Sequence, residues 1–143
     1  MTDLTLETAK AIIAATRAKA REMGLKPISV AVLDAGGHTT AFEREDGASN
    51  LRFQVAHGKA HGALSVGTGS RAIFERAKQQ PFFVQALNGL ANGALVPVPG
   101  GVLIKDANGR TLGAVGVTGD SSDNDEACAV VAIESVGLVA QVD

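Results

Sequence analysis

The chain has 143 residues, 45% hydrophobic and 20% charged, with a formal net charge of −2. That length makes one domain over residues 1–143 the expectation, large enough to bury a core without disulfide or metal staples, and the composition is that of a soluble globular protein. Lys and Arg are scattered and there is no Trp or Tyr to stack on bases, which argues against nucleic acid as a partner, and no apolar run approaches the roughly 18 residues of a membrane span.

The N-terminal stretch MTDLTLETAKAII carries acids where a secretory signal would carry Lys or Arg, so it reads as mature sequence and the cytoplasm is the expected compartment. Leu6, Ala9, Ile13, Thr16, Ala20 and Met23 follow a 3,4,3,4,3 spacing, with Thr5 as N-cap and Gly24 as C-cap, and predict a first helix. In PISVAVLDAGGHTTAFER, Ile28, Val30 and Val32 alternate with Ser29, Ala31 and Leu33 ahead of Gly36–Gly37, which predicts a hairpin. Ser49 is placed to cap a helix from about Leu51 to Val66, and Ser70 to cap a shorter one that stops near Pro81. The stretch NGLANGALVPVPGG reads as a long surface loop before a second hairpin turning at Asn108–Gly109. Asp123 and Glu126 have capping-box spacing, and Cys128, Val131, Ala132, Val136 and Val139 supply the apolar face of a final helix. Two hairpins among helices imply an α+β domain with an antiparallel sheet.

Two of the three histidines, His57 and His61, stand four apart in VAHGKAHGA. At helical spacing they share a face and could hold one metal ion. The zinc-protease pattern fails, because Gly58 stands where a Glu is required after the first His. A metal would need a third ligand from among His38, Asp34, Glu75, Asp120 and Asp125. Otherwise the pair would contact a ligand or simply lie on the surface. Gly58 and Gly62 each cost a helix about 1 kcal/mol against alanine, so something must approach this helix closely: a sheet, a partner subunit or a flat ligand. Lys59, off the histidine stripe, reads as a solvated lysine on propensity alone.

Pro97, Pro99, Gly100 and Gly101 extend and then free the backbone, whose N–H groups there could hold a carboxylate. GTGS at 67–70 lacks the Lys of a phosphate loop and reads as a turn and cap. Leu112, Ala114, Gly116 and Thr118 make one face of a strand unusually small, the mark of a close approach. The acids at 120–126 are read as helix-end charges, not as a calcium site. Cys128, the single cysteine, reads as a small core residue. No GxSxG elbow occurs, and hydrolase chemistry of the Ser-His-Asp type is unsupported.

Three blocks, AVLDAGGHTTAFEREDGA, AHGKAHGA and VPVPGGVLIKDANGRTLGAVGVTGDSSDNDEACA, together resemble the GlcG/HbpS family of haem-binding or haem-degrading domains, also found fused in PduO-type adenosyltransferases. The resemblance covers nearly the whole chain in the right order. It implies a profilin-like fold, a five-stranded antiparallel sheet flanked by helices, and homo-oligomers. It places the family's Lys-Ala at Lys59–Ala60, flanked here by His57 and His61 where relatives usually carry small or hydroxyl residues. The function so implied is small-ligand binding, with haem as cofactor. The expected pocket joins the helix of His57 and His61 to Pro99–Gly101 and Asp125, with one imidazole on the iron and Lys59 or the Gly100–Gly101 amides on a propionate. Phe74, Phe82 and Phe83 are the expected rings against the porphyrin. Two alternatives stand beside it. One is a catabolic isomerase, lyase or hydrolase acting on a small organic acid with a His57 or His61 general base; the other is a non-catalytic accessory oligomer.

Overall fold

Thr5 Oγ1 accepts the Thr8 amide at 3.1 Å and starts helix α1 (Leu6–Glu22), which ends at Met23 before Gly24 turns left-handed at φ +68°. The computed structural model describes residues 3–143; Met1 and Thr2, part of the N-terminal stretch read above, lie outside them. The strands β1 (Ser29–Asp34) and β2 (Thr39–Arg44) form the first expected hairpin. Asp34 Oδ1 accepts the amides of Gly36 and His38 across its turn, both at 3.0 Å, and these bonds hold its carboxyl below the usual carboxylate range.

Helix α2 (Arg52–Val66) follows, but Ser49 does not cap it: the Ser49 hydroxyl takes the Arg52 Nε at 3.0 Å, and α2 starts without a side-chain cap. Helix α3 (Ser70–Gln79) likewise begins from Gly69, because the Ser70 hydroxyl is turned inward to accept the Gly101 amide at 2.7 Å. The expected stop at Pro81 is real, yet Pro81 also opens a further helix, α4 (Pro81–Leu90), which runs through Asn88–Leu90, the start of the expected loop. Pro at the first helical position gives up no intrahelical bond, so the residue that ends one helix can start the next.

The second hairpin, β3 (Gly101–Lys105) and β4 (Thr111–Thr118), turns at Asn108–Gly109 as expected. Helix α5 (Ser122–Ser135) is capped by Ser121, whose hydroxyl accepts the Asn124 amide, in place of the expected Asp123–Glu126 box. Those two acids instead hold Arg71 of α3, with Glu126 at 3.0 Å. The apolar face of α5 is also displaced from the expectation: Cys128 and Ala132 are buried with Ala129 and Ile133, whereas Val131 is 42% exposed and Val139 lies beyond the helix. Val139 begins β5 (Val139–Gln141), a short fifth strand on β3.

The sheet is antiparallel throughout, in the order β2-β1-β4-β3-β5. Helices α1 and α5 cover one face over Ile28, Val30, Val32, Val102, Val115 and Val117. Helix α2 covers the other over Ala31, Leu33, Leu103 and Ala114, and α3 and α4 form a smaller cluster around Ile73, Val84 and Leu95. The expected α+β fold, a five-stranded antiparallel sheet flanked by helices, is the observed one. Leu112 is the exception within the small strand face, since it packs with the α1/α5 core. Cys128 is fully buried, and burial pushes its thiol up to about 11, as befits a core residue.

Candidate functional site

A row of small residues brings α2 down onto the sheet. Ala31, Gly116 and Gly101 are register neighbours across β1, β4 and β3. A Cβ on Gly116 would lie 1.9 Å from the Ala56 carbonyl oxygen, and one on Gly101 would lie 2.2 Å from that of Lys59. The other side of α2 is approached by its own chain: a Cβ on Gly58 would meet Val96 at 2.6 Å, and one on Gly62 would meet Leu95 at 2.9 Å. The occupant of that glycine stripe is none of the expected sheet, partner subunit or flat ligand but the chain's own segment Leu95–Val96, whose Val96 amide bonds the Gly58 carbonyl at 3.1 Å.

This crossing organises His61. Ala94, next to the crossing, presents its carbonyl oxygen 2.9 Å from His61 Nδ1. A carbonyl only accepts, so Nδ1 carries the proton and, in the neutral ring, Nε2 keeps its lone pair. The same ring lies beside the β1–β2 turn, where a Cβ on Gly37 would come within 3.2 Å of it. His57 stacks on His61 with centroids 5.3 Å apart and planes at 21°, Phe53 continues the row at 5.6 Å, and Phe42 of β2 meets Phe53 edge-on at 4.8 Å. Burial first, and then the charge of His61, lower the His57 pKa below its ordinary value of 6.5. Beside His61 a groove of about 390 Å³ opens between α2 and α4, walled by Val66, Leu87, Leu90 and Leu95 with Ser65 and Asn92.

The remaining expected residues gather elsewhere. Lys59 is not solvated: its side chain is 3% exposed, Nζ donates to the Val117 carbonyl at 2.8 Å, and Asp125 Oδ2 lies 3.5 Å away. Asp125 is itself 1% exposed and accepts the Asp120 amide at 3.0 Å through its other oxygen. Burial drives both groups toward their neutral forms, lowering Lys59 and raising Asp125, while their mutual attraction opposes it. Pro99 and Gly100 are buried, and a Cβ on Gly100, at φ +123°, would lie 2.8 Å from Lys59 Nζ. With the Gly101 amide taken by Ser70, this group joins α2, the 96–101 segment and α5. Lys59, Gly100, Gly101 and Asp125 thus form a buried joint rather than one pocket with His57 and His61.

Among the described residues no three His, Cys, Asp or Glu side chains gather to hold a metal ion. His38 pairs with Asp34 at 3.3 Å in the β1–β2 turn. Phe82 is 85% exposed, Phe83 stacks under Arg76 and Phe74 under Lys78, so the rings beside the histidines are Phe53 and Phe42 instead. Phe53, His57 and His61 stand at i, i+4 and i+8, a signal present in the sequence that extends the histidine spacing by one step. No helix among the described residues is long and apolar enough to cross a membrane.

Among solved structures, PduOC crystallised in complex with haem shares this fold, with 23% identity and a TM-score of 0.85 over 96% of this chain and 97% of that one. Protein ORFY of Klebsiella pneumoniae is 27% identical, with a TM-score of 0.84 over 96% and 93%. HbpS of Streptomyces reticuli, crystallised as a double mutant, is 30% identical, with a TM-score of 0.82 over 96% and 89%. A Citrobacter freundii protein, described as an uncharacterised 15.0 kDa protein of the dhaT-dhaS intergenic region, is 32% identical over 131 residues, 92% of this chain and 90% of its own length. The model of the family described as haem degrading protein HbpS-like matches residues 4–134, and the chain belongs to that family.

Proposed function

We propose that this chain binds a small planar ligand of the haem class in the groove between α2 and α4, with a histidine of the His57–His61 pair as the iron ligand. The observation that carries the reading is the Ala94–His61 hydrogen bond, which in the neutral ring puts the proton on Nδ1 and leaves the lone pair of Nε2, on the side of the ring facing the β1–β2 turn, free to ligate. A bound ferric porphyrin supplies an iron that accepts an axial imidazole nitrogen. The groove volume lies within the roughly 300–1,000 Å³ of small-molecule sites, and its walls are mainly aliphatic. The Ala94 carbonyl orients the ligating ring, the stacked His57 offers a second nitrogen kept neutral near pH 7, and Phe53 extends the flat apolar edge. The family and the haem complex of a protein sharing the fold support the same ligand class. Lys59 takes no part in holding a propionate, because Val117 and Asp125 already occupy it.

Titration with haemin tests this directly. A shifted Soret band at micromolar haemin, lost in the His57→Ala/His61→Ala double variant, is the expected result; no shift, or a shift that survives the double replacement, sinks the reading. A free Nε2 lone pair in the neutral ring is also what a general base requires, which favours a second reading as an enzyme acting on a small organic acid. Turnover of such an acid that is unchanged after both replacements counts against that second reading.

A further inference from the structure

Haem ligation occupies one nitrogen of the histidine pair and leaves another spare. A porphyrin iron keeps only its two axial positions open, one on each face of the macrocycle. His57 and His61 lie side by side on one helix face, with ring centroids 5.3 Å apart and planes at 21°. A macrocycle does not fit between rings so close, so the pair offers haem a single axial ligand. The spare nitrogen is free and within reach: His57 forms no hydrogen bond among the described residues, and both histidines are half-buried. Their separation is also that of two ligands on one small ion. With a Zn–N bond of about 2.0–2.1 Å and a ring centre about 1.1 Å behind the nitrogen, two imidazoles at a tetrahedral angle have centroids roughly 5 Å apart.

His61 is prepared for such an ion. The Ala94 carbonyl holds its Nδ1–H at 2.9 Å, the support that metal-ligating histidines ordinarily receive, and leaves Nε2 to the cation. No acid joins the pair, because no three His, Cys, Asp or Glu side chains gather among the described residues, so the remaining positions fall to water. Two neutral imidazoles with water select divalent cations that favour nitrogen, such as Zn²⁺, Ni²⁺ and Cu²⁺, over Mg²⁺ and Ca²⁺, which take oxygen ligands. We infer that His57 and His61 form a two-nitrogen chelate for a cation of this class, which excludes haem from the same nitrogens. The chelate stands without the proposed haem site; the exclusion rests on it.

Calorimetry of the untagged chain with zinc chloride tests the chelate. One Zn²⁺ per chain is expected, with no binding of Mg²⁺. His57→Gln and His61→Gln should each weaken zinc binding at least about tenfold, since even an outer-shell partner is worth roughly 10- to 100-fold to a metal site. His38→Gln should change nothing, because that histidine stands apart with its side chain 83% exposed, paired only with Asp34. Absence of saturable binding, binding that survives either replacement in the pair, or loss in His38→Gln overturns the chelate. NMR of the wild type reads the same point without a variant. Zn²⁺ should shift Nε2 of His61 and a ring nitrogen of His57 while the His61 Nδ1–H persists; a shift in one ring alone refutes the chelate. With Zn²⁺ at about ten times its Kd, the haemin midpoint should rise roughly tenfold by mass action, and an unmoved midpoint refutes the exclusion. If haemin fails to bind even the zinc-free chain, the haem site and the exclusion fall together, and the calorimetry and ring shifts still decide the chelate.

Discussion

Lys59 and His61 stand two residues apart on one helix and face opposite environments. Lys59 enters the joint between sheet and α5, where losing its charge strands Asp125. Replacing Lys59 by Ala should cost about 3–5 kcal/mol in urea unfolding, the usual cost of leaving a buried charge unpaired. The Lys59→Met/Asp125→Asn variant, which buries no charge, should be more stable than the single Lys59→Ala; equal loss in both would show that the ion pair is not the source. His57 predicts a pH dependence of definite sign. Its folded pKa lies below the 6.5 of the free side chain, so the unfolded chain takes up the proton first on acidification. This contribution is intact above pH 6.5 and declines as pH falls toward the lowered folded value. Melting temperatures measured from pH 7.5 to 5 should therefore fall, and His57→Gln should flatten that part of the curve.

Helix α2 is a hydrogen-bonded rod squeezed from both sides, and its glycines and alanines set the spacing. Adding a methyl at Gly62 would gain about 1 kcal/mol of helix propensity, but that Cβ would lie 2.9 Å from Leu95 Cγ and 3.1 Å from its Cα. Overpacking of this kind costs about 1–3 kcal/mol, and here it must move backbone, so Gly62→Ala should be net destabilising. The more telling readout is the Nδ1–H of His61. If the Leu95–Val96 crossing holds Ala94 in place, that proton should be slowly exchanging in the wild type and should broaden or vanish in Gly62→Ala. A sharp, protected signal in the variant would uncouple the glycine stripe from the histidine.

At the scale of the molecule, protection should be graded. Strands β1 and β4 lie inside the sheet with cores on both faces, whereas α4 packs mainly on α3, buries only Val84 fully and exposes Phe82 and Leu90. Native-state hydrogen exchange should find the α4 amides opening at lower free energy than those of β1 and β4, and uniform protection across all three would contradict this. That difference also marks the groove wall as the part of the site most able to adapt to a ligand. Periodicity, hairpin glycines and the order of the three family blocks determined the α+β class, α1, both hairpins and the family, because local propensity and alternation are written in neighbouring residues. They also placed His57 and His61 together on one face. The capping of α3 and α5 was misread because Ser70 and the Asp123–Glu126 pair found stronger partners, Gly101 and Arg71, in distant parts of the chain. Helix α4 is hidden by Asn88–Gly89 near its end and by a proline that both stops and starts a helix. Only the tertiary structure decided that Lys59 is buried, that the glycine stripe is filled by Leu95 and Val96, and that the Ala94 carbonyl sets the tautomer of His61. Each depends on a contact between segments more than 30 residues apart, and burial and partner choice at that range are not encoded in any local spacing.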